Sequence, residues 1–231
     1  MVHLEQELSG LKNALLTMAS HAESAVKEAL EALDHRDYEL ALRVRAADTV
    51  MDRFEIEVDE MAIQLLSKAP LASDLRLIAV TMKISQNLER VGDEATKIAN
   101  RARDLTQEPP LKLEIAIPKM AELALQMLKG SLDAFVNQDP AAARALIPQD
   151  KQVDALNKEV QRQLANKMIE DPTTISRCLN LMVVAKSLER IADHAKNVAE
   201  EVVYLCEAED IRHSAKAKAT PSRDGDVSVG P

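Results

Sequence analysis

The sequence predicts an all-α protein made of two tandem, pseudo-symmetric three-helix bundles, six long helices in all. Three observations carry that expectation. The 231 residues hold only 5 glycines, 2% aromatic residues and no tryptophan, which favours Ala/Leu-rich helices over a β fold. Apolar residues recur at spacings of three and four along six segments, the period of an amphipathic helix. Finally, one stretch is written twice. Residues 88–100 read LERVGDEATKIAN and residues 188–200 read LERIADHAKNVAE, in register from Leu88/Leu188 through Glu89/Glu189, Arg90/Arg190 and Asp93/Asp193 to Ala99/Ala199.

The elements follow in order. Leu4, Leu8, Leu11, Leu15, Met18, Ala22, Ala25, Ala29 and Leu33 form the seam of a long first helix ending near His35–Arg36. Asp37 is the N-cap of a second helix, its carboxylate accepting from the first free amides. The seam of that helix is Val44, Ala47, Met51, Phe54, Val58, Met61 and Leu65. Ala69-Pro70 stops it, because proline disfavours α geometry in the residue before it. A third helix from about Ser73 to Asp104 carries the first motif copy, and Gln107-Glu108-Pro109-Pro110 is a short, stiff linker.

The second half repeats the plan. Leu113, Ile117, Met120, Ala124 and Met127 begin a fourth helix. Asp139-Pro140 is an N-cap with proline at the first helical position. A fifth helix carries Leu146, Val153, Leu156, Val160 and Leu164. Asp171-Pro172 restarts the chain for a sixth, which runs to roughly Ile211. Asp37/Asp139, Asp48/Asp150, Asp52/Asp154 and Pro70/Pro172 keep one constant separation, so a unit of about 100 residues is duplicated. The expected domains are residues 1–107, residues 111–211 and a disordered tail over 212–231, whose Ser, Lys, Gly and Pro show no periodicity.

Composition narrows the function classes. A net charge of −9 and few aromatics argue against a nucleic-acid binder. Cys178 and Cys206 have neither zinc nor redox spacing and read as buried thiols in a reducing cytosol. With no signal peptide and no apolar run near ~18 residues, the expected location is cytoplasmic, without membrane insertion. No Glu stands three residues before a His, and no phosphate loop, HExxH or Gly-x-Ser-x-Gly is present, so nothing points to an enzyme.

The chemistry lies in the acids. Glu89 and Asp93 stack one turn apart on the third helix, and Glu189 with Asp193 does the same on the sixth. Leu88, Val91, Ala95 and Ile98 occupy a roughly opposite arc, so the acid stripe is not core. The second helix carries Asp48, Asp52 and Glu55 one position past its seam, and the fifth carries Asp150 and Asp154 with Asn157 as the third member. Antiparallel neighbours bring these flanks together, and like charges ~4 Å apart repel by about 4 kcal/mol at an effective dielectric near 20. A cation removes that penalty, and all-oxygen ligands suit hard or borderline ions. Arg90 and Lys97 offer a different neutralisation, as ion pairs on a solvated face. His194 follows Asp193 but lies ~100° round the helix, which suits a flank or partner contact.

The two ExxxD copies, and the closing EEVVYLCEAEDIRH at 200–213, resemble the PhoU family of phosphate-signalling regulators over roughly residues 4–213. The resemblance implies two tandem bundles with metal ions (Fe, Zn, Mn or Mg) at Glu89, Asp93, Glu189, Asp193, Asp48, Asp52, Asp150 and Asp154. It implies a negative regulator of the phosphate-starvation response and of phosphate uptake. That regulator would be a homodimeric adaptor between a phosphate ABC transporter's ATPase subunit and a sensor histidine kinase. The first copy departs from the second at Glu94 and Lys97, where the second has His194 and Asn197. A helical scaffold with merely solvated acids and a carboxylate-bridged metalloenzyme are the alternative readings.

Overall fold

A computed structural model describes residues 2–69 and 71–212; Pro70, the expected stop, and the tail from His213 onward lie outside the described residues. Helices α1 (Val2–His35), α2 (Tyr38–Ala46), α3 (Asp48–Leu66) and α4 (Ala72–Thr106) build the first half. Helices α5 (Ile117–Asn137), α6 (Pro140–Leu146), α7 (Asp150–Glu170) and α8 (Ile175–Glu207) build the second, and no strand occurs among the described residues. The six expected helical segments are all present, two of them broken.

The breaks have local causes. In the second segment Ala47 takes φ −80°, ψ −8°, and its N–H is shared between the carbonyls of Arg43 and Val44. That tightened turn leaves Ala47 exposed while Val44 and Met51 on either side stay buried, so Ala47 is not part of the seam. In the fifth segment Pro148 lacks an amide proton and clashes with the carbonyl four residues back, giving a 3₁₀ turn over Ile147–Gln149.

Helix starts are set by side chains. Asp37 Oδ1 accepts from Leu40 N at 2.9 Å, Asp139 Oδ1 from Ala142 N at 2.9 Å, and Asp171 Oδ1 from Thr173 N at 3.1 Å. Three expected boundaries move. Helix α5 begins at Ile117 rather than near Leu113, because Pro118 sits in its first turn, so residues 107–116 form a longer connection than the four-residue linker. Helix α8 is preceded by a 3₁₀ turn over Pro172–Thr174. It ends at Glu207, four residues before Ile211, because Ala208 adopts left-handed φ 57° and closes back on the Tyr204 carbonyl.

Helices α1, α3 and α4 pack as one bundle and α5, α7 and α8 as another, with α4 against α8 in the middle. The seam residues Leu88, Val91, Ala95, Ile98, Leu188, Ile191 and Ala195 are all at most 1% exposed, and one apolar core runs through both halves. Truncating Leu188 to Ala should therefore cost about 2–5 kcal/mol in urea unfolding.

Polar contacts cross the α4–α8 seam in pseudo-symmetric fashion. His194 Nδ1 meets Asn87 Oδ1 at 3.0 Å, and Arg190 donates to Glu94 Oε1 at 3.2 Å. Lys83 reaches buried Glu201 at 3.0 Å, and Arg212 shares that carboxylate at 3.1 Å. Removing one partner of an enclosed carboxylate leaves charge uncompensated. Lys83→Met should thus lower stability by roughly 1–3 kcal/mol, discounted from the fully buried case because Lys83 is part-exposed and Arg212 remains. Thermal unfolding of this variant beside Glu201→Gln checks the pair.

Candidate functional site

Helices α3 and α4 are joined by a short connection and lie side by side. Their close approach depends on Gly92, where an added Cβ would stand 2.9 Å from Met51 Cγ. The second motif copy carries Ala192 at that place. The packing brings Asp48, Asp52 and Glu55 of α3 into electrostatic contact with Glu89 and Asp93 of α4. All five sit off the core face, half-buried apart from exposed Asp52.

The electrostatics of this patch are those of crowded like charges. Burial pushes the carboxyl of Glu55 up, and Asp59 and Asp52 add to it. Burial raises Glu89, helped by Asp93 and Glu55. Asp93 rises by burial, opposed by Lys97 and reinforced by Asp48. The folded state therefore holds these three protons more readily than the unfolded chain. Their contribution favours the fold below the ordinary carboxylate range and is lost as pH rises through the lifted values. At neutral pH the patch opposes folding. Replacing Glu89 by Gln and Asp93 by Asn should raise the metal-free melting temperature at pH 7, and the gain should shrink as pH falls toward 4.

Lys97 does not relieve this crowding by ion pairing with Asp93. It bonds Glu94 Oε1 at 2.8 Å, on the side facing α8. Burial pushes Glu94 up, but hydrogen bonds from Lys97, Ser187 and Arg190 outweigh it and hold the carboxyl below its usual value. Asp48 is met by a neutral donor, Thr96 Oγ1 at 2.9 Å.

The second half arranges the same elements differently. Lys196, the counterpart of Thr96, places its ammonium 3.0 Å from Asp150 Oδ2 and 3.3 Å from Asp193 Oδ1. Burial raises Asp150, Lys196 opposes it, and Asp154 and Asp193 add to it. Asp150, Asp154 and Asp193 are thus brought together, whereas Glu189 is 2.6 Å from Lys186. Glu200 joins the edge of this group: burial lifts it, Lys196 opposes and Asp193 reinforces. Among the described residues no three Asp, Glu, His or Cys side chains already close on a common point. The acids form facing rows rather than a finished coordination shell.

Other candidates resolve individually. His194 bonds Asn87 within the chain, across the α4–α8 seam, and burial lowers its pKa. Cys178 is buried as expected, but Cys206 is exposed, because it lies in the last turn of α8 just before Ala208 ends the helix. Lys196 was not singled out in the sequence. Its signal was the Thr96/Lys196 difference, one of several between the two copies.

The class of protein these features define is a duplicated helical bundle whose polar chemistry is concentrated on paired acidic flanks, one per repeat. The chain belongs to the PhoU family: the PhoU domain model matches residues 15–102 and 117–202, taking in both motif copies. It is 38% identical over 221 residues to the phosphate-specific transport system accessory protein PhoU homolog of Pseudomonas putida, covering 95% of this chain and 86% of the relative. The crystal structure of PhoU from Pseudomonas aeruginosa superposes with TM-score 0.86 at 38% identity, covering 89% of this chain and 99% of the other. That of the phosphate transport system regulatory protein PhoU from Streptococcus pneumoniae gives 0.84 at 26% identity, covering 90% and 99%.

Proposed function

We propose that this protein is an accessory regulator of phosphate transport that represses the phosphate-starvation response when phosphate is plentiful. It acts in the cytoplasm as a non-enzymatic, homodimeric adaptor between the ATPase of a phosphate ABC transporter and a sensor histidine kinase. The observation that carries the reading is family membership across both repeats, with relatives named as phosphate-transport accessory proteins over most of their length. No helix of the described residues is long and apolar enough to cross a membrane, which suits a protein that docks onto a transporter rather than forming part of its span.

The acidic flanks fit metal ions by the chemistry of their donors. Asp48, Asp52, Glu89 and Asp93 would hold an ion in the first half, with side-chain rotation to close the shell. Asp150, Asp154, Glu189 and Asp193 would do so in the second, where the Lys196 ammonium already stands between two of them as a cation. A bound divalent ion would cancel the carboxylate repulsion and tie the two helices of each patch together. Because Lys196 competes for the second patch, the first should be the tighter. Elemental analysis of chelator-free protein should find metal, and Glu89→Gln with Asp93→Asn should remove more of it than Glu189→Gln with Asp193→Asn.

Deletion of the gene tests the function. Phosphate-scavenging genes should switch on in phosphate-rich medium, because removing an adaptor releases its partner instead of stopping a reaction. Unchanged expression, in a strain with no second copy of the gene, contradicts the assignment and leaves the fold untouched.

A further inference from the structure

Away from the acidic flanks, the two halves share a cavity of about 490 Å³. Ser73, Asp74 and Arg76 near the start of α4 line it, together with Gln138 from the turn after α5 and Leu205 from the end of α8. The Nε of Arg76 is enclosed and finds no hydrogen-bond acceptor among the described residues. The terminal nitrogens of Arg76 are not enclosed and have no hydrogen bond or ion pair among the described residues, so their charge is what an anion in the cavity would pair with.

The pseudo-symmetry of the chain shows what such a place takes. Gln138 corresponds to Arg36, both with left-handed φ (49° and 55°), Leu205 corresponds to Leu105, and Arg76 corresponds to Ser176. At that matching end the connection after α4 delivers a carboxylate. Glu108 Oε1 accepts from Ser176 Oγ at 2.6 Å, while Arg36 donates to the main-chain carbonyls of Leu105 and Glu108. After α8 the acids turn elsewhere, Glu207 and Glu209 both pairing with Arg144. Both ends have a cavity, but only at the Arg36 end does the following connection supply an oxyanion; at the Arg76 end it supplies none.

Asp74 decides which anion. It lies on the same lining as Arg76, and a carboxylate there repels a fully ionised oxyanion but accepts a hydrogen bond from one that carries a proton. Phosphate retains at least one P–O–H at neutral pH, and sulfate has none. We propose that this cavity binds a protonated oxyanion of the phosphate class, with Arg76 donating to its ionised oxygens and Asp74 accepting from its hydroxyl. Ser73 and Gln138 supply further donors. The site is separate from the acidic flanks and independent of the adaptor reading.

Titration calorimetry of the full chain with inorganic phosphate and, separately, sulfate tests it. One saturable phosphate site per chain is expected, with sulfate several-fold weaker. Arg76→Gln should weaken phosphate by about tenfold or more, the loss of a charge-assisted bond. Asp74→Asn should abolish the preference over sulfate, and Glu89→Gln with Asp93→Asn should leave phosphate binding unchanged. Gln138→Glu, at an exposed turn position that leaves the core intact, should weaken binding several-fold and serves if Arg76→Gln fails to fold. Absence of saturable phosphate binding at millimolar concentration overturns the proposal. So does undiminished binding by folded Arg76→Gln or by Gln138→Glu.

Discussion

A deletion strain complemented with the Glu89→Gln, Asp93→Asn, Glu189→Gln, Asp193→Asn variant should stay derepressed in phosphate-rich medium, whereas the wild-type gene restores repression. The four side chains lie off the core face, so their loss removes surface charge and donors without opening a cavity. The variant should fold with unchanged helicity by circular dichroism. Failure to repress by a folded protein then places the flanks in the partner contact. Full repression makes them dispensable for signalling even if they bind metal. An unfolded variant would instead show that the stripe belongs to the core.

The second large effect is thermal. Metal-free protein carries burial and mutual repulsion of Glu55, Glu89 and Asp93 at neutral pH that Arg90 and Lys97 only partly offset. A divalent ion at a hundredfold excess over its Kd adds about 2.7 kcal/mol of stability. For a chain of this size that corresponds to roughly 5–10 °C in melting temperature. Manganese or magnesium added to chelated protein should produce a rise of that order at pH 7 and a smaller one as pH falls toward 4, because protons compete for the raised carboxyls of Glu55, Glu89 and Asp93. Glu89→Gln with Asp93→Asn should start from a higher metal-free value and respond little. Lys196→Ala should enlarge the response, because it removes the internal cation from Asp150 and Asp193. A wild-type melting temperature indifferent to every divalent ion would leave the acids as a solvated face.

Much of the architecture was legible because helical period and capping are local. Leu88, Val91, Ala95 and Ile98 recur at the helical repeat and are buried, and Asp37, Asp139 and Asp171 cap where their positions before Tyr38, Pro140 and Pro172 indicate. The meeting of the α3 and α4 acids followed from short connections between antiparallel helices. The bend at Ala47 was not legible, since no proline or glycine marks it and only the tertiary seat of Val44 and Met51 shows it. Pro148 carried a readable signal for the second break.

The electrostatics of the site depend on contacts between distant segments. Glu94 is 4% exposed because α8 covers it and brings Arg190, a relation no local pattern encodes. Matching the two motif copies by their shared Glu and Asp also hid the informative difference. Thr96 leaves the first patch to its carboxylates, and Lys196 partly neutralises the second. The Arg76 cavity joins the starts and ends of three helices, so it exists only once both halves are packed.

The adaptor role is tested most directly by affinity purification of the tagged full chain from phosphate-replete cells, beside the folded quadruple variant. The transporter's ATPase subunit and a sensor histidine kinase should co-purify with the wild-type chain and be depleted with the variant. Recovery of neither protein above an unrelated helical-bundle bait, from cells in which the wild-type chain is folded and represses, would contradict it.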